Sequence, residues 1–570
     1  MDDKTKTWEQ WQNGIAYLNS MGLSENLPMY VRFKEGDQWP APTERTKNLP
    51  RPVFNLVDML IRTKRSNVLS QPVTIAYSPA EIMLDDYQRE LATGGAKDFT
   101  DYGKQLWDNC DQDSLNDEFV DDMATLGTGV LHYYFDSSVS GGAEHRYIGE
   151  IRGEVIDPLN IVFANPQQRD EQRQKYIIIA QRVPVDDVKA LAKAEGVKSY
   201  DIERIVGDSN ASAERYSNAV KEMRGEDKVT LLTKYYRKSD GAVYVDKSTE
   251  SVEIIKSRCL TPDTTAAVTG YKIKRYPIVV GNWYRRKKCI YGIGECQTII
   301  PAQKAVNFLK AMELLSVQQT AWPKLLVKPG ALSQPITNEP GEVITDYSAN
   351  GGIAYLSPPV LTNAASALAT SIIDMMRMVS GVNEVMAGEP LGANIAAATV
   401  IALQSQNRVP IEEVQKRFWN CIKRVGAVWE ELIKAYYNTE RSITVDGSEE
   451  DSRPFTGTTY TDVGFKLKID VGASSEYGEV LAQSTLDMML QNGYITIDQY
   501  VELAPHNVVP FAEQFKKLRQ EQAEQEAQMQ MQMQAEMPIE TNEGAMMQPA
   551  GMPQMEQAMP QIPQAPTIGV

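Results

Sequence analysis

YPIVVGNWYRRKKCIYGIGECQTIIPAQKAVNFLKAMELLSVQQTAWPKLLVKPG, residues 276–330, is the stretch whose reading decides the fold. From Glu295 onward the pattern is helical. Ile299, Ala302, Val306, Leu309 and Met312 recur at three- and four-residue spacing and line one face. Lys304 and Lys310 lie away from part of that face, six residues apart and so on different lines of the helix. The helix ends at Trp322-Pro323. A turn-rich insert follows, including NEPGEVITDYSANGGIAYLSPP at residues 338–359, with two short β runs, Lys324–Val327 and Ile353–Leu356. It cannot hold a large core of its own and is expected to pair with neighbouring copies of the chain. Ala364–Val379 reads as a second helix. Gly381–Asn394 is a loop carrying Gly388, Pro390 and Gly392. Ile395–Tyr437 is long and helical, with an interruption expected at Pro410, where a missing backbone donor should kink the helix or begin a new one. Beyond it, Ile411, Val414, Phe418, Ile422, Val425, Trp429, Leu432 and Tyr436 form an apolar stripe.

Outside this stretch the chain alternates between helical and β signals. Thr7–Leu18 places Trp8, Trp11, Ile15 and Leu18 on one helical face, and a loop, Phe33 to Pro40, follows. Val53, Leu56, Val57, Leu60, Ile61 and Lys64 predict a helix opened by Pro52. VTIAYSP after Gln71-Pro72 predicts a strand, and Asp101–Leu126 a helix. Gly129–Phe135, Ile148–Phe163, Tyr176–Val183, Lys228–Arg237 and Gly241–Lys256 are β-like, with a hairpin turn at Asp240-Gly241. Val185–Gly196 reads as a short helix and Ser199–Asp227 as a polar surface insertion. Ile443–Ile469 returns to strands, and helices are expected at Glu476–Leu490, Ile497–Leu503 and Phe511–Gln528. From Gln528 the chain is rich in Gln, Met and Pro and is expected to be disordered or extended. The fold class is α+β.

Composition removes several classes of function. The 570 residues suffice for roughly three to four domains. A formal net charge of −17 argues against a simple sequence-independent DNA binder, which shows a basic patch. It does not exclude DNA from a pore, where each Lys or Arg on a phosphate adds salt-dependent grip and hinders sliding. The cysteines, Cys110, Cys259, Cys289, Cys296 and Cys421, are odd in number and contain no Cys-x-x-Cys, which argues against a disulfide framework or zinc site. No signal peptide and no apolar run of about 20 residues is visible, so the expected setting is cytoplasm, or a particle assembled there, without direct membrane binding.

No catalytic constellation emerges. His132, His145 and His506 are scattered and lack metal-ligand spacing. Gly292-Ile293-Gly294 begins a dinucleotide fingerprint, but Gln297 occupies the place of the third glycine, so a tight strand-to-helix turn is the simpler reading. P-loop and Gly-x-Ser-x-Gly sequences are absent. Asp121-Asp122 and Glu449-Glu450-Asp451 lack calcium-loop order and read as solvated charges. The basic run Arg285-Arg286-Lys287-Lys288 after Tyr284 reads as a solvated loop or as subunit ion pairing, with a nucleic-acid patch as its alternative. No cofactor is implied.

In this order the phrases GDQWP (36–40), LPRPVFNLVD, SQPVTIAYSP, YGIGECQTIIPAQKAVNFLKA with PKLLV after it, and GEPLGANIAAATVIALQ resemble bacteriophage portal proteins, in particular those of short-tailed phages. The resemblance covers roughly residues 8–520. It implies a portal fold with wing, stem, clip and crown: a helical wing segment over 1–127, a mixed α+β wing lobe over 128–295, stem helices over 296–321 and 361–380, and a clip over 322–360. A tunnel loop over 381–395, a kinked helix with wing strands over 396–474, crown helices over 475–528 and the tail over 529–570 would complete it. No regular coiled-coil barrel pattern is visible near the C-terminus, which departs from the longer portals. The implied function is a dodecameric ring at one capsid vertex, a conduit for double-stranded DNA in packaging and ejection. Its implied partners are the major capsid protein, terminase and later head–tail adaptor proteins. Candidate channel residues are Lys304, Lys310, Glu389, Leu391 and Asn394; candidate clip docking residues are Lys324, Lys328, Glu339, Glu342 and Asp346. The alternatives are another structural virion protein, such as an adaptor or minor capsid subunit, and an enzyme of unrecognised type.

Overall fold

The computed structural model describes residues 4–80, 85–142, 146–208, 227–332, 345–347, 351–356, 364–382, 397–443, 453–471, 486–497 and 499–500, with the backbone alone over 397–410 and 470–471. Contacts divide the chain into two compact units, Met1–Ser474 and Ser475–Val570.

The first unit begins with α1 (Lys6–Ser20), capped by Thr5, whose hydroxyl accepts from the Trp8 amide. Trp8, Trp11 and Leu18 are buried as the spacing predicted. α2 (Leu23–Lys34) follows, in a stretch to which the sequence assigned no element, with Leu23, Leu27, Tyr30 and Phe33 inward and Pro28 tolerated within the helix; the loop expected from Phe33 begins at its end. α3 (Leu56–Val68) starts later than the proline suggested. Asn55 is the true cap, its side-chain oxygen accepting from the Asp58 amide, while Val53 stays exposed. β1 (Val73–Pro79) follows. The helix expected over 101–126 is two helices, α4 (Asp86–Asn109) and α5 (Gln112–Leu126), separated where Asp111 adopts φ 48°.

β2 (Thr128–Gly141), β3 (Tyr147–Val155) and, later, β9 (Ile278–Asn282) form an antiparallel sheet in the order β3-β2-β9. A five-stranded antiparallel sheet carries β4 (Ile161–Phe163), β5 (Tyr176–Pro184), β6 (Lys228–Arg237), β7 (Val243–Ser248) and β8 (Glu253–Cys259) in sequence order. The run Gly241–Lys256 is therefore two strands, turned at Thr249, whose hydroxyl accepts from the Val252 amide. Short helices α6 (Val185–Ala194), α7 (Ser199–Glu203) and α8 (Asp263–Thr269) decorate this lobe.

Next come α9 (Glu295–Ala321), the hairpin strands β10 (Lys324–Val327) and β11 (Ile353–Leu356), α10 (Ala364–Ser380) and α11 (Ala397–Tyr436). α11 runs as one helix through Pro410, so no new helix begins there. Its stripe from Ile411 to Leu432 is the spine of the main core, and Tyr436 packs partly buried against the same cluster. β12 (Arg441–Ile443) pairs with β13 (Arg453–Phe455), and β14 (Phe465–Val471) returns to pair with β1 nearly 400 residues away. Buried at the end of α11, Arg441 stacks on the Tyr437 ring at 3.5 Å and donates to Glu150 Oε2 at 3.2 Å; Glu150 also accepts from the hydroxyls of Tyr102 and Tyr437. This charge pair is sealed; both terminal nitrogens of Arg441 and both oxygens of Glu150 have partners, as a buried charge requires, while Arg441 Nε has none.

In the second unit residues 486–491 are helical, and Tyr500 donates to Asp487 Oδ1 at 2.7 Å. The expected helix over 511–528 and the Gln/Met/Pro tail lie outside the described residues.

Candidate channel and assembly surface

The root of α9 is built from charge and amides. Glu295, in the first turn, is 3% exposed at its side chain and pairs with Lys64 of α3, itself 5% exposed. The same carboxylate oxygen accepts from Trp283 Nε1 at 2.8 Å and from the Tyr284 hydroxyl at 2.7 Å. Burial and the Glu295 carboxylate push the Tyr284 phenol up, which keeps it a neutral donor. The position at a helix N-terminus adds favourable peptide dipoles to the carboxylate.

Gly292-Ile293-Gly294 makes this root compact. A Cβ on Gly294 would sit 2.6 Å from the Thr125 carbonyl oxygen, and one on Gly127 would sit 2.6 Å from the Gly294 nitrogen. The glycines let two backbones cross where α5 ends and α9 begins, as the tight-turn reading expected. The neighbouring basic run is a loop with Arg285, Lys287 and Lys288 exposed.

About two turns further, a chain of buried amides crosses from α9 to the N-terminal segment. Gln303 Nε2 donates to Asn307 Oδ1 at 2.8 Å, Asn307 Nδ2 to Gln38 Oε1 at 2.7 Å, and Gln38 Nε2 to Asn55 Oδ1 at 2.9 Å. Trp39 Nε1 donates to the Pro52 carbonyl at 3.0 Å. GDQWP and the NLVD phrase are thus joined to α9 by hydrogen bonds. The buried face of α9 contains Gln303 and Asn307, turned by roughly a quarter of a circle from the purely apolar face read from the periodicity, and that polar half was missed.

Burial then falls away along the same helix. Val306, Asn307 and Ala311 are buried; Leu314, Val317 and every residue from Gln318 to Trp322 are exposed. β10 and β11 pair antiparallel with Lys324 opposite Leu356 and Val327 opposite Ile353, at the two runs expected from the sequence. α10 packs along α9 with Ala369, Met376 and Ser380 inward. Its opposite side exposes Leu368, Met375, Met378 and Val379. Thirteen of the twenty-five large apolar side chains exposed among the described residues lie between Phe308 and Val379. A helix apolar on all sides is ordinarily covered on all sides, and a concentration of this kind marks an interaction surface.

The candidate site residues fall in different places. Lys304 is exposed, its ammonium 5.1 Å from the centre of the Phe33 ring and 3.8 Å from Met29 Sδ. Lys310 pairs with Glu313 at 3.0 Å on its own helix. Lys324 is exposed at the start of β10. Lys328 Nζ donates to the Gly351 carbonyl at 3.1 Å, and Asp346 accepts from the Gly352 amide at 2.6 Å, so the structure brings these two together at one turn of the hairpin. Glu339, Glu342, Glu389, Leu391 and Asn394 lie outside the described residues, as do His145, His506 and Glu449 to Asp451.

The remaining chemical candidates resolve into structural roles. His132 is buried, with Nδ1 2.8 Å from Glu154 and Nε2 2.9 Å from the Tyr235 hydroxyl. Among the described residues no cluster of three or more His, Cys, Asp or Glu could hold a metal ion. All five cysteines are free thiols, and burial pushes those of Cys110 and Cys296 up to about 12, away from reactivity. Among the described residues no helix is long and apolar enough to cross a membrane.

The family model described as phage P22-like portal protein matches residues 30–566. The chain belongs to that family. No curated protein matches it. The P22-like portal is a structural component of the phage virion, and it forms the head–tail connector channel for DNA packaging. Family membership also carries, in general terms, an oligomeric ring at a capsid vertex in contact with capsid, terminase, tail proteins and DNA.

Proposed function

We propose that α9 and α10 lie within the two stem segments, 296–321 and 361–380, and that 322–360 is the clip, 381–395 the tunnel loop, and 475–528 the crown. The wing takes 1–295 and, with the rest of α11, 396–474. The observation that supports this division best is the loss of burial along α9 beyond Ala311, together with the uncovered outer side of α10. A helix–hairpin–helix too apolar for water and too thin for its own core is completed by copies of itself in a ring, where each interface joins two different patches. We read the ring as a dodecamer. The mechanism is non-catalytic: the channel conducts double-stranded DNA during packaging and ejection, and the clip docks terminase and then the adaptor proteins, with Lys324, Lys328, Glu339, Glu342 and Asp346 as its contact candidates. Lys304, Lys310, Glu389, Leu391 and Asn394 are the candidates to face the channel.

Electron microscopy of the purified chain tests the proposal. Rings with a central channel are expected. Monodisperse monomers with no central channel, under every assembly condition tried, would overturn it.

A further inference from the structure

One face of the five-stranded sheet is only half covered. α1 lays Trp8 and Trp11 over Ile178, Ala180 and Leu232. Beyond them three tyrosines stand side by side, because Tyr176 of β5 lies opposite Tyr236 of β6, and Tyr236 opposite Tyr244 of β7. Lysines are interleaved with them. Lys234 Nζ is 5.5 Å from the centre of the Tyr176 ring and 5.3 Å from that of Tyr236, and Lys238 Nζ is 3.8 Å from that of Tyr244. Lys6 and Lys175 are exposed and close enough to repel Lys234. Among the described residues none of these four ammonium groups is in an ion pair. The carboxylates nearby are engaged: Asp240 with Lys272 at 2.9 Å, Glu253 with Lys256 at 3.0 Å, and Asp246 with the Ser257 amide at 2.7 Å. Burial holds the Lys234 ammonium below its ordinary value; Lys6 and Lys175 add to this, and Asp246 and Glu253 oppose it. A chain of net charge −17 thus holds a half-buried cation that lacks a bound anion.

We propose that this face binds the phosphate backbone of double-stranded DNA through Lys6, Lys175, Lys234 and Lys238, at a site separate from the candidate channel residues. Charge complementarity selects a polyanion, and DNA is the polyanion that this family handles. The rings decide which part of the DNA is met. Tyr236 and Tyr244 stack on each other at 6.1 Å, and Lys234 lies between Tyr176 and Tyr236. The ring faces are therefore taken, and no open platform is left for the bases of a single strand. What the face turns outward is ammonium groups and the Tyr176 hydroxyl, which has no hydrogen-bond partner among the described residues. Phosphate oxygens accept from both kinds of donor, and such contacts carry no sequence information. Lys234 and Lys238 are four residues apart, about 13 Å at the strand rise. A duplex carries one charge per about 1.7 Å of its axis, so that length presents about eight phosphates, enough to engage all four lysines. The proposal rests on the family's handling of DNA and not on the division into stem, clip and tunnel loop: a single chain presents this face as fully as a ring does.

Filter binding of the full chain to covalently closed circular duplex DNA tests this, because a closed circle cannot thread a preformed ring and reports only on surfaces outside the channel. Four phosphate contacts predict that log Kd rises with log salt at a slope of about 3–4, a loss of affinity of about 100-fold between 50 and 200 mM salt. The variant Lys6→Gln/Lys175→Gln/Lys238→Gln should lower that slope by about 3, and adding Lys234→Met should abolish it. The triple variant changes side chains at the edge of the face and spares the half-buried lysine, so it answers even where the fourth change harms folding. A control with Lys47→Gln, Lys97→Gln, Lys193→Gln and Lys416→Gln removes the same charge from exposed sites elsewhere and should keep the wild-type slope. Polyglutamate of equal charge should compete less well than the duplex. Wild-type chain that ignores the circle at 50 mM salt, or a triple variant with the wild-type slope, would overturn the proposal. So would polyglutamate binding more tightly than DNA, which would assign the face to an acidic protein. If rings form but circles are not bound, this proposal falls and the ring reading stands; if circles are bound through these lysines but no rings form, the reverse holds.

Discussion

Replacing Lys64 by Met should loosen the foot of α9. Lys64 is the only charged partner of Glu295 among the described residues, and both groups are almost sealed from water. Removing one member of a buried pair typically costs about 3–5 kcal/mol, because the other charge stays behind uncompensated. One feature sets the magnitude here. Trp283 Nε1 and the Tyr284 hydroxyl still donate to the carboxylate, and hydrogen bonds to a charged group are worth about 1.5–3 kcal/mol each, which draws the cost toward the lower end. The expected loss is therefore about 3 kcal/mol. The assay is urea unfolding followed by tryptophan fluorescence, for which Trp283 sits at the site itself. Adding Glu295→Gln to Lys64→Met should restore most of the loss, because the amide oxygen keeps both remaining donors occupied and no charge is left. A loss below about 1 kcal/mol for Lys64→Met, or no recovery in the double variant, would refute the view that this pair roots the helix.

Three further changes follow from the same structure. Burial first, and then Asp157, Asp121 and Glu118, push the Asp122 carboxyl well above its ordinary value, with Lys34 opposing. The folded state thus holds a proton that the unfolded state releases, and stability falls as pH rises from about 4 through the folded value; Asp122→Asn should raise the melting temperature at pH 7 and lose that advantage near pH 4, so an equal gain at both would count against it. Gly294→Ala would drive a methyl group against the Thr125 carbonyl and should cost about 3 kcal/mol or more in denaturant unfolding, whereas Gly196→Ala, with open space around it but φ +74°, should cost only about 1 kcal/mol. Asn307→Leu would leave Gln38 Oε1 without its donor, while Gln303 Nε2 keeps the Phe54 carbonyl, and should destabilise by about 1–3 kcal/mol, measurable as a lowered urea midpoint.

What could be read in advance was local. The ends of α9, β10, β11 and α10 were legible because Trp322-Pro323 stops a helix and because the insert is punctuated by Pro and Gly. The stripe of α11 was legible because its period is unbroken over 25 residues. α2 was hidden by Pro28, which sits past the first turn, where proline is normally a reason to end a helix, although Leu23, Leu27, Tyr30 and Phe33 keep helical spacing around it. Pro410 misled in the same way: α11 continues through it. The polar half of the root of α9 was beyond periodicity altogether. Gln303 and Asn307 look like surface residues until Gln38 and Asn55 arrive from 250 residues away, and Lys64 looks like a solvated charge until Glu295 meets it. Apolar spacing identifies what must leave water, but the partner that permits a polar group to leave water is a tertiary fact.

The charges along the stem bear on how DNA would pass. From Leu314 to Pro323 there is no charged residue, and α10 carries only Asp374 and Arg377. A ring multiplies each lining cation by the number of its subunits, and every phosphate contact adds about 0.9 to the salt dependence of binding, so even one free lysine per copy at the channel wall would make a brake. Lys310 is already neutralised by Glu313 on its own helix. Lys304 is the exception within one chain: its ammonium stands over the Phe33 ring, and among the described residues no carboxylate pairs with it. If it lines the channel, it is the one cation of α9 left to hold DNA, and Lys304→Gln tests this. Rings of Lys304→Gln should retain DNA less at low salt than wild type, and equal retention would show that Lys304 does not face the channel.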